Sequence, residues 1–327
     1  MGTSVLDTAL SPSEIQVQLN VSAYVSLVAF TLLYFDFFSL TFESEVSRYW
    51  GTRITFASFF FYLNRYAAFL GVVPIMVQYF WTGGSSVKSE VCCILIISFS
   101  CLIAIQYCPG LQIHHQVVII GVQIIVGIIL IMRTYALYGG SRRLLAFMSC
   151  SAVGIFGFSA WSMISAERLR QPRADYPSIG CGFSLSTPMA HRIGYGWIGF
   201  LAFDIMILVF TFRKACEACR RGGCARKHGL VPTLLRDGIL YFLVVAVANW
   251  GNIMSYMFAG PYLRGVGSNL TTVLSTIMAS RLMLSIRDPK LIASASHHNV
   301  DEDPSICDFS WSDGYEYDGR SVGLSNG

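Results

Sequence analysis

Two ionisable residues, Arg65 and Asp204, lie deep inside long apolar runs of this chain. Each stands about eleven residues from one end of its run, a depth of about 16 Å in a helix that rises about 1.5 Å per residue. A charged side chain at that depth costs about 2.5–3.5 kcal/mol on insertion scales, so we expect it to face the protein interior and to have a partner or a function. Two amides, Asn249 and Asn252, share one face of another run at i, i+3 spacing.

These side chains predict one of two arrangements. In the first they line a polar cavity for a ligand or an ion. The candidate members of that site are Arg65, Asn64, Asp36, Asp204, Asn249 and Asn252. In the second they hold the helices together, because Arg65 pairs with Asp36, near the end of the first apolar run, with Asp204, at a similar depth, or with neighbouring backbone carbonyls. Both arrangements require Arg65 to point inward, and only the first implies a binding function.

A short basic segment after the fifth run could also carry chemistry. Cys216, Cys219, Cys224 and His228 have the close spacing of a compact zinc site with four soft ligands. Cysteines beside basic residues next to a membrane are also typical of lipid acylation, and they can be inert thiols. The segment is a weak zinc or acylation candidate, and we predict no bound metal and no cofactor.

Seven long apolar runs position these residues. They cover residues 19–38, 54–80, 113–132, 144–163, 193–212, 232–258 and 266–286. About 20 apolar residues in a helix cross a hydrocarbon core of about 30 Å, and only a helix satisfies its own backbone polar groups there. Hydrophobic residues make up 54% of the chain and charged residues 13%, about half the charged share of a typical soluble domain. We therefore predict an all-α, polytopic integral membrane protein with seven transmembrane helices.

The basic residues indicate the orientation of these helices. Fifteen Lys and Arg residues fall on one side of the seven runs and six on the other, with none ahead of the first run. Basic loops stay in the cytosol, so we predict the N-terminus outside and the C-terminus inside. Arg133 and Asp237 then lie at the inner ends of the third and sixth helices. They could form an inner latch like that of rhodopsin-like receptors, or they could both face solvent.

The rest of the chain divides into flanking segments and one insertion. Residues 1–18 are predicted to be a short extracytoplasmic N-terminus, 19–287 the membrane domain, and 288–327 a disordered acidic tail in the cytosol. Residues 91–107 form an extra apolar stretch at the lower limit of length for a span. If it crossed the membrane, the Arg-rich segment after the fifth run would face outside. We therefore interpret it as a hydrophobic insertion in the first outer loop, either genuine or a retained intron.

Two modifications are predicted on the outer side. Cys108, at the outer end of the third helix, and Cys181, in the second outer loop, both face the oxidising side and form the best candidate disulfide. The three cysteines of residues 91–107 are alternative partners. Asn20 opens an Asn-Val-Ser sequon and is the candidate glycosylation site.

Several short segments combine residues in a pattern specific to one family. They are Tyr34-Phe35-Asp36, Leu40 to Val46, Trp50, Leu63 to Tyr66, Arg133 to Gly139, Arg236 to Phe242, and Ser280 to Leu284. Together they cover much of residues 20–287 and resemble an uncharacterised seven-helix membrane family of mushroom-forming fungi, domain of unknown function 6533. The resemblance implies membrane residence and seven helices, and it implies no known activity.

The motifs that would identify an enzyme do not occur. There is no Gly-rich phosphate loop, no Ser-His-Asp order and no His-Glu-x-x-His. The leading hypothesis is a receptor-like protein of the plasma membrane or an endomembrane, with the lipid bilayer, an unidentified ligand and a cytosolic partner at its basic inner loops. No nucleic-acid partner is expected. The alternatives are a small-molecule or ion transporter, which would favour inverted repeats, and a structural membrane protein. Architecture alone does not decide among them.

Overall fold

The computed structural model describes residues 11–80, 108–168, 184–220 and 230–287, and these residues form helices and no strands. The helices are α1 (Pro12–Phe35), α2 (Phe42–Tyr49), α3 (Phe56–Phe80), α4 (Cys108–Leu137), α5 (Arg142–Glu167), α6 (Thr187–Arg220), α7 (Leu230–Phe258) and α8 (Ser268–Ile286). A π-helical turn, Asp36–Thr41, joins α1 directly to α2. The predicted all-α class is therefore confirmed.

Six of the helical segments that the structure describes are long and apolar enough to cross a membrane. They are Pro12–Tyr49, Phe56–Met76, His114–Leu137, Arg142–Ala166, Thr187–Glu217 and Ile239–Phe258. These segments match six of the predicted runs and identify an integral membrane protein. The seventh predicted run corresponds to α8, which is a continuous helix but carries too many polar residues to meet the same criterion.

The first helix begins earlier than its apolar run suggests. Ser11 accepts a hydrogen bond from the backbone of Glu14, and the Glu14 carboxylate accepts one from the Ser11 backbone, with Pro12 at the first helical position. This reciprocal capping box satisfies two otherwise unpaired N–H groups and fixes the start of a helix. The helix therefore begins at Pro12, before the predicted boundary at residue 19, and it already contains Asn20.

Successive long helices run in opposite directions and pack side by side. At one end of the bundle the Leu185 N–H donates to the Pro261 carbonyl at 3.0 Å. At the opposite end the Tyr49 hydroxyl donates to the Met283 carbonyl at 3.2 Å. We call these the entry end, where α1 begins, and the exit end, where α8 stops.

Helix α8 lies among the other helices rather than at the margin of the bundle. It contacts α1, α2, α3, α4 and α7. Thirteen of its nineteen residues are buried, and they include three serines, three threonines and one asparagine. Its polar face therefore meets protein on several sides, which explains how a helix of modest hydropathy fits inside this bundle.

Several sequence predictions fall outside the described residues. The insertion 91–107, the acidic tail 288–327, Cys181, Cys224 and His228 all belong to this group. The helices that hold Cys108, Cys219 and Asp237 are described, but the side chains of these three residues are not. The disulfide, the zinc or acylation site and the inner latch all remain predictions.

Candidate functional site

An ion-pair network occupies the exit end of the bundle. Arg65 of α3 is 3% exposed and Glu45 of α2 is fully buried, and Arg65 Nε lies 2.5 Å from Glu45 Oε2. The same guanidinium donates from its NH2 group to the Phe37 carbonyl at 3.0 Å and lies 4.3 Å from the centre of the Phe37 ring. The other carboxylate oxygen, Glu45 Oε1, accepts from the Tyr66 hydroxyl at 2.9 Å. Each charge therefore has both an opposite charge and additional hydrogen-bond partners.

A second carboxylate, Asp36, belongs to the same end. Its Oδ1 atom lies 2.7 Å from both Nε and NH2 of Arg281, so the last turns of α8 are tied to the end of α1. The Thr41 hydroxyl donates to the Asp36 carbonyl at 2.7 Å across the π-helical turn. We call Asp36, Glu45, Arg65 and Arg281 the exit-end network.

The network confirms one prediction and corrects another. Arg65 is inward-facing and paired, as predicted. The two proposed acidic partners were wrong, because Asp36 binds Arg281, Asp204 lies elsewhere, and Arg65 pairs with Glu45. The proposed bond to a neighbouring carbonyl is present, at Phe37. Sequence reasoning missed Glu45 because the first apolar run ends before it. The π-helical turn continues the helix past that boundary and carries Glu45 back against α3.

A line of hydrogen bonds follows α8 from the entry end towards the exit end. At the entry end, His115 Nε2 donates to Asn269 Oδ1 at 2.7 Å, and Asn269 Nδ2 donates to the Ser26 hydroxyl at 3.0 Å. Further along, Asn64 Nδ2 donates to the Thr276 carbonyl at 3.1 Å and to the Ser280 hydroxyl at 3.0 Å.

Near the exit end this line meets the charged residues. Arg281 pairs with Asp36, and Arg48 donates to the Leu284 carbonyl at 2.7 Å. Arg287 donates to the Ser58 hydroxyl at 2.9 Å. We call the interhelical polar contacts of residues 268–287 the α8 seam. The histidine and serine at its entry end were not among the predicted site residues.

A different polar site lies near the midpoint of α6. Asp204 is half-buried, and its Oδ2 atom accepts a hydrogen bond from Asn249 Nδ2 of α7 at 2.5 Å. The carboxylate lines two neighbouring cavities, one between α4, α6, α7 and α8 and the other between α4, α5 and α6. Gln123 lines one of them and Ser275 the other, and the remaining walls are largely apolar. We call these two spaces together the Asp204 cavity.

Buried polar atoms without partners cluster around this cavity. Gln123 is 7% exposed and its Nε2 atom has no hydrogen-bond partner among the described residues. Asn249 is 1% exposed, and its Oδ1 atom likewise has none in the described part of the chain. Buried polar groups in proteins are almost always paired, so such atoms call for an explanation.

The six predicted site residues do not form a single cavity. Asp36 and Arg65 belong to the exit-end network, and Asn64 belongs to the α8 seam. Asp204 lines the cavity and accepts a hydrogen bond from Asn249. Asn252 shares their helix face but accepts from the Ser268 hydroxyl at 3.3 Å instead. The polar residues are separated because each lies at a different height along its helix, which a list of intramembrane residues does not reveal.

The structure gives the positions of three remaining candidate residues, and their predicted roles stay predictions. Arg133 lies at the exit end of α4 and is half-buried. Cys216 is an exposed free thiol on α6. Asn20 is exposed on α1 and its Oδ1 atom accepts from Gln16 Nε2 at 2.8 Å. Within the described ranges, no group of three or more His, Cys, Asp or Glu residues could hold a metal ion.

The family comparison singles out the first part of the bundle. Residues 24–70 match the model of a family described as "Family of unknown function (DUF6533)". That segment contains Asp36, Glu45 and Arg65, so three of the four members of the exit-end network fall inside it. No curated protein and no solved structure matches the chain. Over these residues the chain is therefore similar to a family of unknown function, as the sequence resemblance indicated.

Proposed function

We propose that this protein is a receptor-like seven-helix membrane protein that transmits a change at the entry end of the bundle to its exit end. The observation that carries the proposal is the α8 seam. Polar contacts between helices recur along α8 from Asn269 to Arg287. Coupling between distant sites is carried by packed, hydrogen-bonded elements of this kind when they have two arrangements.

The entry end supports this function because its contacts join three helices at one point. His115 of α4, Asn269 of α8 and Ser26 of α1 form a buried hydrogen-bonded chain. A ligand that altered the spacing of these helices would have to break or rearrange that chain. In a low-dielectric interior such a rearrangement has a large energetic consequence, so it favours discrete states over gradual deformation.

The exit end supports the receptor-like function because charged side chains hold α8 in place there. Arg281 reaches Asp36, and Arg48 reaches the Leu284 carbonyl. A movement of α8 would therefore alter the surface formed by the ends of α2, α3 and α8. We propose that this surface faces the cytosol, with the N-terminus outside. The reason is that the segments connecting the helices at the exit end hold most of the Lys and Arg residues that lie between the apolar runs. A cytosolic partner would bind here and at the basic inner loops. The membrane would be the plasma membrane or an endomembrane.

A transporter is the second candidate, and the Asp204 cavity is the observation that favours it. Transporters place polar sites near the middle of the bilayer. The two spaces beside Asp204 leave about 20 and 10 Å³ for the centres of water molecules, which is room for about one water each. That is too small for a metabolite, so transport would be limited to an ion. In a purely structural protein, a change in the polar contacts at one end of the bundle would have no effect on those at the other end.

Hydrogen exchange on the full chain in lipid nanodiscs tests the receptor-like proposal without a known ligand. Asn269→Leu removes the entry-end contacts to His115 and Ser26 while keeping a similar volume. Thr272→Val is a matched control, because Thr272 is buried on the same helix and its hydroxyl bonds only to the Ser268 carbonyl of its own helix. We expect faster exchange of the amides of residues 281–287 in Asn269→Leu than in Thr272→Val.

The two other results would overturn the proposal. If exchange changes only near residue 269, the entry-end contact has no effect at the exit end and α8 is a static element. If both variants accelerate exchange at residues 281–287 equally, the effect comes from general loosening of α8 rather than from the contact. Neither result would show which role the Asp204 cavity has.

A further inference from the structure

We propose that the Asp204 cavity binds one small monovalent cation of the size of sodium, held by the Asp204 carboxylate with Ser275 as an oxygen ligand and a retained water. This site goes beyond the receptor-like function and does not depend on it. Two independent observations carry it: the position of an acidic group without a cationic partner among the described residues, and the polar atoms of Ser275 and Gln123 that line the two spaces and can still form contacts.

The first observation is the isolation of the charge. Asp204 is the one charged side chain among the residues that line the two cavities, and its hydrogen bond comes from a neutral amide, Asn249. Its other neighbours there include Phe203, Phe242 and Leu282, which offer no polar group. Buried charges in proteins are paired, or they bind metal ions, or they lose their charge. A bound cation would compensate this carboxylate where no basic residue among those described does so.

The second observation is the set of polar atoms in the lining that can still form contacts. Asn249 uses its Nδ2 atom on Asp204 and lines neither space, so it orients the carboxylate and does not bind the ion. Ser275 Oγ donates its proton to the Thr271 carbonyl at 2.9 Å, so its lone pairs remain available to a cation. Gln123 Nε2, on the other cavity, has no partner among the described residues and is a donor suited to a water molecule in the cation's first shell. The lining thus supplies the oxygen atoms of Asp204 and Ser275 as ligands and one amide donor for the water.

Size and charge select the class of ligand. Each of the two spaces holds about one water molecule, which suits an ion with one retained water and excludes an organic molecule. Calcium takes six to eight oxygen ligands at typical protein sites, often from several carboxylates, and magnesium keeps several waters. A single carboxylate in a small, mostly apolar space matches one positive charge rather than two. Oxygen ligands favour hard cations over soft ones.

Thermal unfolding of the purified full chain in nanodiscs tests this site. The protein is prepared in choline chloride, and choline is replaced by sodium at constant ionic strength. We expect a saturable rise in Tm of about 2–4 °C with sodium, because a ligand that binds only the folded state stabilises it by mass action. Lithium, potassium and caesium form the comparison series, and we expect the effect to decline towards caesium.

Three variants link the response to the site. Asp204→Asn should abolish the sodium-dependent rise, and Ser275→Ala should shift it to several-fold higher sodium. Glu43→Gln removes an exposed carboxylate from α2 and should leave the response unchanged, which controls for the loss of a negative charge. Because wild-type selectivity and Ser275→Ala are measured independently, the site can still be tested if Asp204→Asn fails to fold.

The contrary results are equally specific. A Tm that is the same in sodium, caesium and choline would show that the folded protein binds none of these cations selectively and would overturn the site. Retention of the full sodium response in Asp204→Asn would place the ion elsewhere. A Tm that changes with pH through Asp204 but is indifferent to sodium would show that the carboxylate takes up a proton in place of a metal ion, which also overturns the proposal.

Discussion

The exit-end network and the Asp204 cavity both bury carboxylates within the bundle, but they compensate the charge in different ways. Glu45 meets an arginine, a tyrosine hydroxyl and the Trp50 indole N–H, which lies 3.3 Å from its Oε1 atom. Asp204 meets one amide, and the amide atoms around it lack partners in the described part of the chain. The first site is complete within the protein, and the second is not.

This difference separates residues that stabilise the fold from residues that could bind something. A buried ion pair that is fully hydrogen-bonded gains little from a further ligand, and breaking it leaves an uncompensated charge. An isolated carboxylate beside amide atoms without partners can still bind a ligand or form further hydrogen bonds. Two carboxylates within the same bundle therefore have opposite expected consequences when they are replaced.

The largest predicted effect is the loss of the Glu45 carboxylate. Glu45→Leu leaves Arg65 buried beside an apolar side chain, and removing one partner of a buried pair typically costs about 3–5 kcal/mol. We expect the free energy of unfolding, measured by denaturant titration in detergent micelles, to fall by about that amount. Glu43→Leu, two residues earlier on the exposed face of α2, should change it by less than about 0.5 kcal/mol.

A rescue experiment tells whether the unpaired charge is the cause. In the double variant Glu45→Leu with Arg65→Leu both charges are absent, and replacing a whole buried pair by apolar residues is often neutral. We expect most of the lost stability to return. If the double variant is as unstable as Glu45→Leu, the cost arises from packing around Phe37 and Tyr66, and the contrast with Asp204 would lose its electrostatic basis.

The sequence predicted the positions of the helices far better than the partners of the polar residues. Apolar runs mark where a helix can cross a membrane, so six of the predicted runs coincide with long apolar helices in the structure. Glu45 escaped prediction because it follows the end of an apolar run, and the π-helical turn at Asp36–Thr41 is not visible as a break in hydropathy. Hydropathy indicates which residues lie in the helical bundle, but it does not indicate which of them contact each other.

The α8 seam shows the same limit at another place. Asn64 was predicted as a member of the candidate polar site, but its partners, the Thr276 carbonyl and the Ser280 hydroxyl on α8, were not predicted. Contacts between residues more than 200 positions apart depend on the rotation of both helices about their axes. A uniformly apolar span does not fix that rotation, because every face of it is compatible with lipid.

The second prediction concerns this neutral contact. Its removal should lower the free energy of unfolding by an amount between those expected at Glu45 and at Asp204. Asn64→Leu removes two hydrogen bonds between α3 and α8 in a fully buried position. Interhelical hydrogen bonds in membranes contribute about 0.6 kcal/mol on average and about 1.7 kcal/mol at most. We expect a loss of about 1 kcal/mol in the same denaturant titration. A loss as large as that of Glu45→Leu would mean that hydrogen bonding, rather than charge, sets the stability of this half of the bundle.

The smallest effect is predicted at Asp204, and it is the sharpest test of the comparison. In choline buffer without sodium, Asp204→Asn replaces an uncompensated carboxyl group by an amide of the same shape, whose side-chain oxygen can still accept from Asn249. No opposite charge among the described residues is left behind, in contrast to Glu45→Leu. We therefore expect the free energy of unfolding to change by less than about 1 kcal/mol, or to rise, because a buried charge without a partner is unfavourable. Adding sodium should then stabilise the wild type and not the variant. A loss of about 3 kcal/mol or more in choline would show that Asp204 is as fully compensated as Glu45, and it would remove the distinction between a structural carboxylate and a binding one.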